Sequence, residues 1–237
     1  MTKKINNKLL KLINYYSLIN YNLIYDKHSI NRYKKIKSEL LGNKGIQLEK
    51  LEESIKDIKN CDLKKNSKHI VFADGNPNSK VMIIGEAPGA NEDEEGYPFE
   101  GRAGKLLDKM LQSINLDRRN VYITNVVNYK PPENRKPTEQ EIARYFPFLI
   151  QHIEIINPKI LILLGSTALN TIVGNKEVIS KARGKWINKK IGNCSTSIIA
   201  SFHPAFLIRQ QEQKKMSWID LKMIREKISL LKIKIEK

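Results

Sequence analysis

Apolar positions along the chain change their period near residue 68. In residues 1–60 the pattern is weakly helical, with Ile46, Leu51, Ile55 and Ile58 on one stripe behind a break at Gly42 and Gly45. From about Lys68, short apolar runs alternate with helical stretches. Val81 to Ile84 reads as a strand that ends in the loop GEAPG. A helix follows from about Arg102, with Leu106, Leu107, Met110, Leu111 and Ile114 on one face. Val121 to Val127 reads as a second strand, followed by a polar, Pro-rich loop from Lys130 to Pro137. Thr138 and Glu141 have capping-box spacing and open a helix to about Ile156, which Pro147 is expected to kink. Ile160 to Leu164 is a third strand, running into Gly165-Ser166-Thr167 and a short helix. Ser197 to Phe202 is a fourth, ending at His203-Pro204. Ser217 reads as the cap of a closing helix whose stripe is Trp218, Leu221, Ile224, Ile228 and Leu231.

Strands that alternate with crossover helices predict an α/β fold with a mostly parallel sheet covered on both faces. Such sheets bind ligands beyond the carboxyl ends of their strands. Four segments of unusual chemistry fall there: GEAPG, NVVNYKPPENR, GST and SFHPAFLIR. They predict one shared pocket. The expected organisation is a helical extension over residues 1–60 and a catalytic domain over 61–237.

Composition narrows the classes of function. At 41 % apolar residues the chain has an ordinary globular composition. Its longest apolar runs are too short to cross a bilayer. The basic N-terminus keeps polar residues inside its apolar stretch and lacks a small-residue cleavage pattern, so no secretory signal is expected. Cys61 and Cys194 are the two cysteines, too few for a disulfide framework or a four-thiolate metal site. A reducing, cytoplasmic setting follows. The net charge of +17 favours a polyanionic partner, although the excess is spread along the chain and marks no single site.

The stretch GEAPGANEDEEGYPFEGRAGKLL, with TNVVNYKPPENRKPTEQE and HPAFLIR, resembles the family 4 uracil-DNA glycosylases from about Cys61 to the C-terminal helix. The resemblance implies a three-layer α/β/α sandwich around a four-stranded, mostly parallel sheet. It also implies hydrolysis of the bond between uracil and deoxyribose in DNA, within base-excision repair. The expected partner is uracil-containing DNA, bound by a monomer at the nucleoid. Alternatives are a relative acting on another deaminated base and a DNA-binding relative that has lost catalysis.

By the same resemblance His203 donates to uracil O2, and Asn125 reads uracil N3–H and O4 with one amide. Phe99 stacks on the ring, and Glu86 is placed to position the hydrolytic water. Ala87 and Gly89 lie in the water-and-base motif, and Ala87 stands where other uracil glycosylases carry a catalytic aspartate. Glu92 walls the pocket near uracil C5, and Asn134 matches a polar position beside the site. Residues 204–209 are expected to form a minor-groove loop, with Phe206 or Leu207 as the wedge and Arg209 on a phosphate.

The resemblance breaks at one place. Family members typically hold a [4Fe–4S] cluster on four cysteines, and those positions here read Ile58, Cys61, Tyr129 and Tyr145. A cluster needs four soft ligands. No cluster and no other cofactor is therefore expected, and apolar or aromatic side chains should fill the space.

Overall fold

Apolar runs without alternation suit strands buried on both faces. The structure, a computed structural model, describes residues 32–174 and 177–235. In chain order the elements are α1 (Arg32–Lys56), α2 (Asp62–Lys65), β1 (Asp74–Gly75), β2 (Val81–Gly85), α3 (Ala90–Glu95), α4 (Arg102–Gln112), β3 (Tyr122–Asn125), α5 (Glu139–Ile156), β4 (Ile160–Leu164), α6 (Ser166–Val173), α7 (Ile179–Ala182), β5 (Trp186–Ile191), β6 (Cys194–Ser201), α8 (Pro204–Arg209) and α9 (Lys214–Leu230). Every residue of β2, β3 and β4 is buried.

The sheet has six strands in the order β1-β3-β2-β4-β6-β5. The expected parallel strands are its centre: β3, β2, β4 and β6 run parallel, pair by pair. The four-stranded expectation is corrected at the two edges, where β1 and β5 pair antiparallel with β3 and β6. Neither edge has the apolar signature. β1 is two residues long, and β5 reads WINKKI with Asn188 and Lys190 exposed. Short strands and lysines are how an edge avoids pairing with another chain.

Alternate residues of each central strand feed two separate cores, one per face. Met82, Ile84, Leu161, Leu163 and Ile198 pack with Tyr145, Leu149 and Ile153 of α5 and with Leu169 of α6. Val81, Ile83, Ile160, Ile162 and Ile199 pack with Leu107 and Leu111 of α4 and with Leu221, Ile224 and Ile228 of α9. The chain is thus layered helix, sheet, helix.

The compact unit around this sheet spans Leu41–Lys237, so it begins ahead of the boundary read at residue 61. Leu48, Leu51 and Ile55 are buried in its first core with Cys61 and Leu63. Within α1, Gly42 (φ 64°, ψ −176°) interrupts the helix at the break read from the sequence. Calls on residues 1–31 lie outside the described residues.

The capping box before α5 forms as spaced: Thr138 Oγ1 accepts from Glu141 N at 3.2 Å, and Glu141 Oε2 accepts from Thr138 N at 2.7 Å. The helix runs on through Pro147. The closing helix differs from its expected start. α9 begins at Lys214, and Ser217 is buried inside it rather than capping it. Trp218 is 42 % exposed, so the apolar stripe begins at Leu221. Among the described residues no helix is long and apolar enough to cross a membrane.

Candidate active site

Parallel strands deliver their carboxyl ends to one edge. Gly85 pairs with Asn125 at the end of the β2–β3 ladder, and Gly165 N donates to Ser201 O at 2.9 Å beside the β4–β6 ladder. Beyond that edge lies a cavity of about 170 Å³. Glu86, Ala87, Gly89, Glu92, Phe99, Asn125, Asn134 and His203 all line it, with Arg135 beside them. The volume is well under the roughly 300–1,000 Å³ of pockets for drug-sized ligands, so it suits a single small ring.

Close approach at the floor depends on Gly85. A Cβ there would stand 2.3 Å from Asn125 Oδ1 and 2.6 Å from the Phe99 ring. Asn125 is 3 % exposed and Phe99 5 % exposed, so amide and ring form a dry floor and wall. Phe99 has φ 59°, a left-handed backbone that costs a non-glycine residue energy. Arg118 supports that conformation. Its guanidinium donates to Phe99 O at 2.5 Å and Pro98 O at 3.1 Å, and pairs with Asp74, Asp108 and Glu100. Gly104 completes the fit, because a Cβ there would fall 1.5 Å from Phe99 O.

His203 is the N-cap of α8, where its Nδ1 accepts the Ala205 N–H at 3.2 Å. A ring nitrogen that accepts carries no proton, so the neutral ring bears its hydrogen on Nε2. Burial, with the Arg209 guanidinium adding to it, pushes the imidazole down to about 4. The ring stacks at 5.5 Å on Phe99. Behind it, Ser201 donates to Asp220 at 2.7 Å, and Arg183 grips the same carboxylate while lying over the Phe202 ring. This buried set braces the strand end that carries His203.

The two acidic residues of the loop stand differently. Glu86 accepts from Thr167 Oγ1, which orients its carboxylate from the start of α6. Glu92 accepts three backbone N–H groups at 3.0 Å each, from Gly89, Glu100 and Gly101. Its carboxylate therefore holds the loop 89–101 closed around the pocket. Opposite, Glu141 ties down the PPENR loop through Arg135 at 2.7 and 2.8 Å, which with the cap holds its carboxyl down to about 2.

The expected minor-groove loop is a short helix, α8, and one wedge candidate is excluded. Leu207 is 1 % exposed and packs in the second core, so it does not reach a ligand surface. Phe206 is half-buried against Phe202 at 5.0 Å, and Arg209 is exposed. Sequence reading missed Arg118, Thr167, Gly104 and the Arg183–Asp220 pair. Of these, GRAG and GST were visible as motifs, whereas the two salt-bridge centres carry no local signal.

Of the four positions that the resemblance assigns to cluster ligands, Cys61, Tyr129 and Tyr145 are buried in the first core and Ile58 packs against that core; Cys61 Sγ lies 3.3 Å from Tyr145 Oη. One thiol, two phenols and an isoleucine do not fit a [4Fe–4S] cluster. Burial pushes both the Tyr129 and Tyr145 phenols up, so each stays a neutral O–H. Among the described residues no group of three or more His, Cys, Asp or Glu is placed to hold a metal ion.

Comparison with known proteins agrees with this geometry. Residues 72–224 match the family described as the uracil DNA glycosylase superfamily. The type-4 uracil-DNA glycosylase of Thermotoga maritima is 40 % identical over 171 residues, 70 % of this chain and 86 % of that protein. That of Sulfurisphaera tokodaii is 40 % identical over 184 residues, 76 % of this chain and 84 % of its own length. The Archaeoglobus fulgidus type-4 enzyme is 36 % identical over 186 residues, covering 76 % and 94 %.

Proposed function

The chain belongs to the uracil DNA glycosylase superfamily, and on that premise we propose that its pocket excises uracil from DNA by hydrolysis, the opening step of base-excision repair. The observation that carries the reading is the neutral His203, held as an Nε2–H donor in the same small, dry cavity as the Asn125 amide and the Phe99 ring.

The reaction asks for little covalent chemistry from the protein. The nucleotide leaves the stack and its base enters the cavity. Phe99 supports the ring face, and Asn125 accepts from N3–H while donating to O4, a pattern that cytosine reverses. As the bond from C1′ to N1 stretches, charge flows onto the base, and His203 Nε2–H meets it at O2. Such preorganised donors act strongly where water is excluded. Glu86, aligned by Thr167, orients a water whose oxygen bonds to C1′; its proton passes to the carboxylate or to solvent. The base departs as an anion and takes up its proton at N1 afterwards. Glu92 closes the wall near C5 against a thymine methyl. Nothing in these steps calls on an iron–sulfur cluster, and we propose that the protein folds and works without one.

The test is incubation of purified protein, with chelator present, with an oligonucleotide holding one deoxyuridine, followed by alkali. Strand breaks at that position are expected, and free uracil in equal amount. Intact strands at enzyme excess would overturn the reading, and cleavage only of a hypoxanthine-containing strand would reassign the base.

Arg118 is a positioning residue in this scheme, since it holds Phe99 through the backbone and touches no substrate atom. Arg118→Ala should lower the single-turnover rate by on the order of 10²-fold, the scale of a misplacement of about 1 Å. Arg118→Lys should not restore it, because a point charge cannot span two carbonyls and three carboxylates. A rate unchanged in Arg118→Ala would remove this role.

A further inference from the structure

A second groove, of about 340 Å³, lies between α4 and the segment that runs from α8 into α9. Arg102, Lys105 and Lys109 of α4 and Lys214 of α9 stand along it, over Leu106 and Ile208. All four basic residues are exposed. Among the described residues none of them is in an ion pair, since the ion pairs of this region fall on Arg118, Arg119 and Lys215. The acidic residue of α4, Asp108, is turned away to Arg118 at 2.9 Å. Spacing of three and four residues puts Arg102, Lys105 and Lys109 on one face of the helix.

The groove and the site cavity draw on the same two helices. Ala103 of α4 and Ala205 of α8 line that cavity, while Lys105 and Ile208, further along the same two helices, line the groove. We propose that this groove is a rail for the phosphodiester backbone of the strand that carries the extruded nucleotide. From Arg102 to Lys109 the helix advances about 10 Å at roughly 1.5 Å per residue, enough for its basic side chains to stand beside successive phosphates of one strand. The basic groups meet the phosphates, and the Leu106–Ile208 floor lies under the apolar faces of the sugars. The proposal rests on the glycosylase reading for the choice of DNA as occupant. It gives the dispersed positive charge of the chain one place where it is organised.

The test compares Lys105→Ala/Lys109→Ala/Lys214→Ala with a control that loses the same charge at the opposite edge of the sheet, Lys80→Ala/Lys159→Ala/Lys190→Ala. Those three control lysines are exposed and precede β2, precede β4 and lie near the end of β5. Affinity for a deoxyuridine oligonucleotide is measured across a salt series, and the single-turnover rate at saturating DNA. Each lost phosphate contact lowers the log–log salt slope by about 0.7 on single strands and 0.9 on duplex. The rail variant should therefore lose about 2 to 3 from the slope, bind at least about 10-fold more weakly at low salt, and keep its saturated rate. Equal slopes and affinities in the rail and control variants would overturn the proposal. So would a fall in the saturated rate without loss of affinity, which would move these residues into the chemistry. Wild-type protein that binds DNA through the rail yet releases no uracil would refute the glycosylase reading and leave the rail standing.

Discussion

His203→Ala is expected to lower the single-turnover rate of uracil release by about 10²–10³-fold, the usual cost of one preorganised donor to a developing oxyanion. Affinity for DNA should stay near wild type, because the ring lies inside the cavity and is not among the basic residues of the proposed α4 rail. The protonation state makes the claim sharper. The Ala205 N–H at 3.2 Å fixes Nδ1 as acceptor, and burial holds the ring at about 4. The wild-type rate should thus be level as pH falls from 8 to about 5.5 and show no step near the ordinary histidine value of about 6.5. A donor that had to be imidazolium would instead gain rate below about 6.5. Stability follows the same group. Its folded pKa is depressed below the unfolded one, so its contribution is complete above about 6.5 and is lost as pH falls towards 4. A loss of less than about threefold in His203→Ala would remove the histidine from the mechanism.

Several features were legible in the chain because they are written locally. An unbroken apolar run such as Ile160 to Leu164 has one comfortable place, the centre of a parallel sheet, and β4 has those limits. Motifs at the ends of such runs then have to meet, and the eight residues singled out for base and water line one cavity. What escaped reading was written at a distance. Arg118 draws its partners from Asp74, Pro98, Phe99, Glu100 and Asp108, and Arg183 finds Asp220 37 residues on. No window on the sequence displays such a set. The edge strand β5 escaped because a strand paired on one side tolerates lysine and asparagine, which read as loop. Leu207 was offered as a wedge on the strength of its motif, but in a helix of six residues its direction is set by turn geometry, and it points into the core. Ser217 shows the converse: a good capping residue is no cap when the helix has already begun.

The largest stability effect is expected at the buried tyrosines that stand where the resemblance implies cluster cysteines. Tyr145 is 1 % exposed, and its hydroxyl meets Cys61 Sγ at 3.3 Å. Tyr129, 5 % exposed, lies in the same core. In a close-packed interior the loss of either ring leaves a void that the neighbouring side chains fill only in part. Tyr145→Ala should cost roughly 3–5 kcal/mol, the range for deleting a buried aromatic ring. Cys61→Ser should cost only about 1–2 kcal/mol, since it keeps a hydrogen-bonding atom of nearly the same size beside the Tyr145 hydroxyl. Chemical denaturation of the two variants measures the difference directly. The order would reverse if Cys61 were the surviving ligand of a metal group, because the loss of one ligand would then release it and the folding energy it supplies. Purified under anaerobic conditions, the protein should be colourless and carry no stoichiometric iron. Brown protein with about four irons per chain would refute the packing account, because a cluster of that size has no room while both phenol rings are buried.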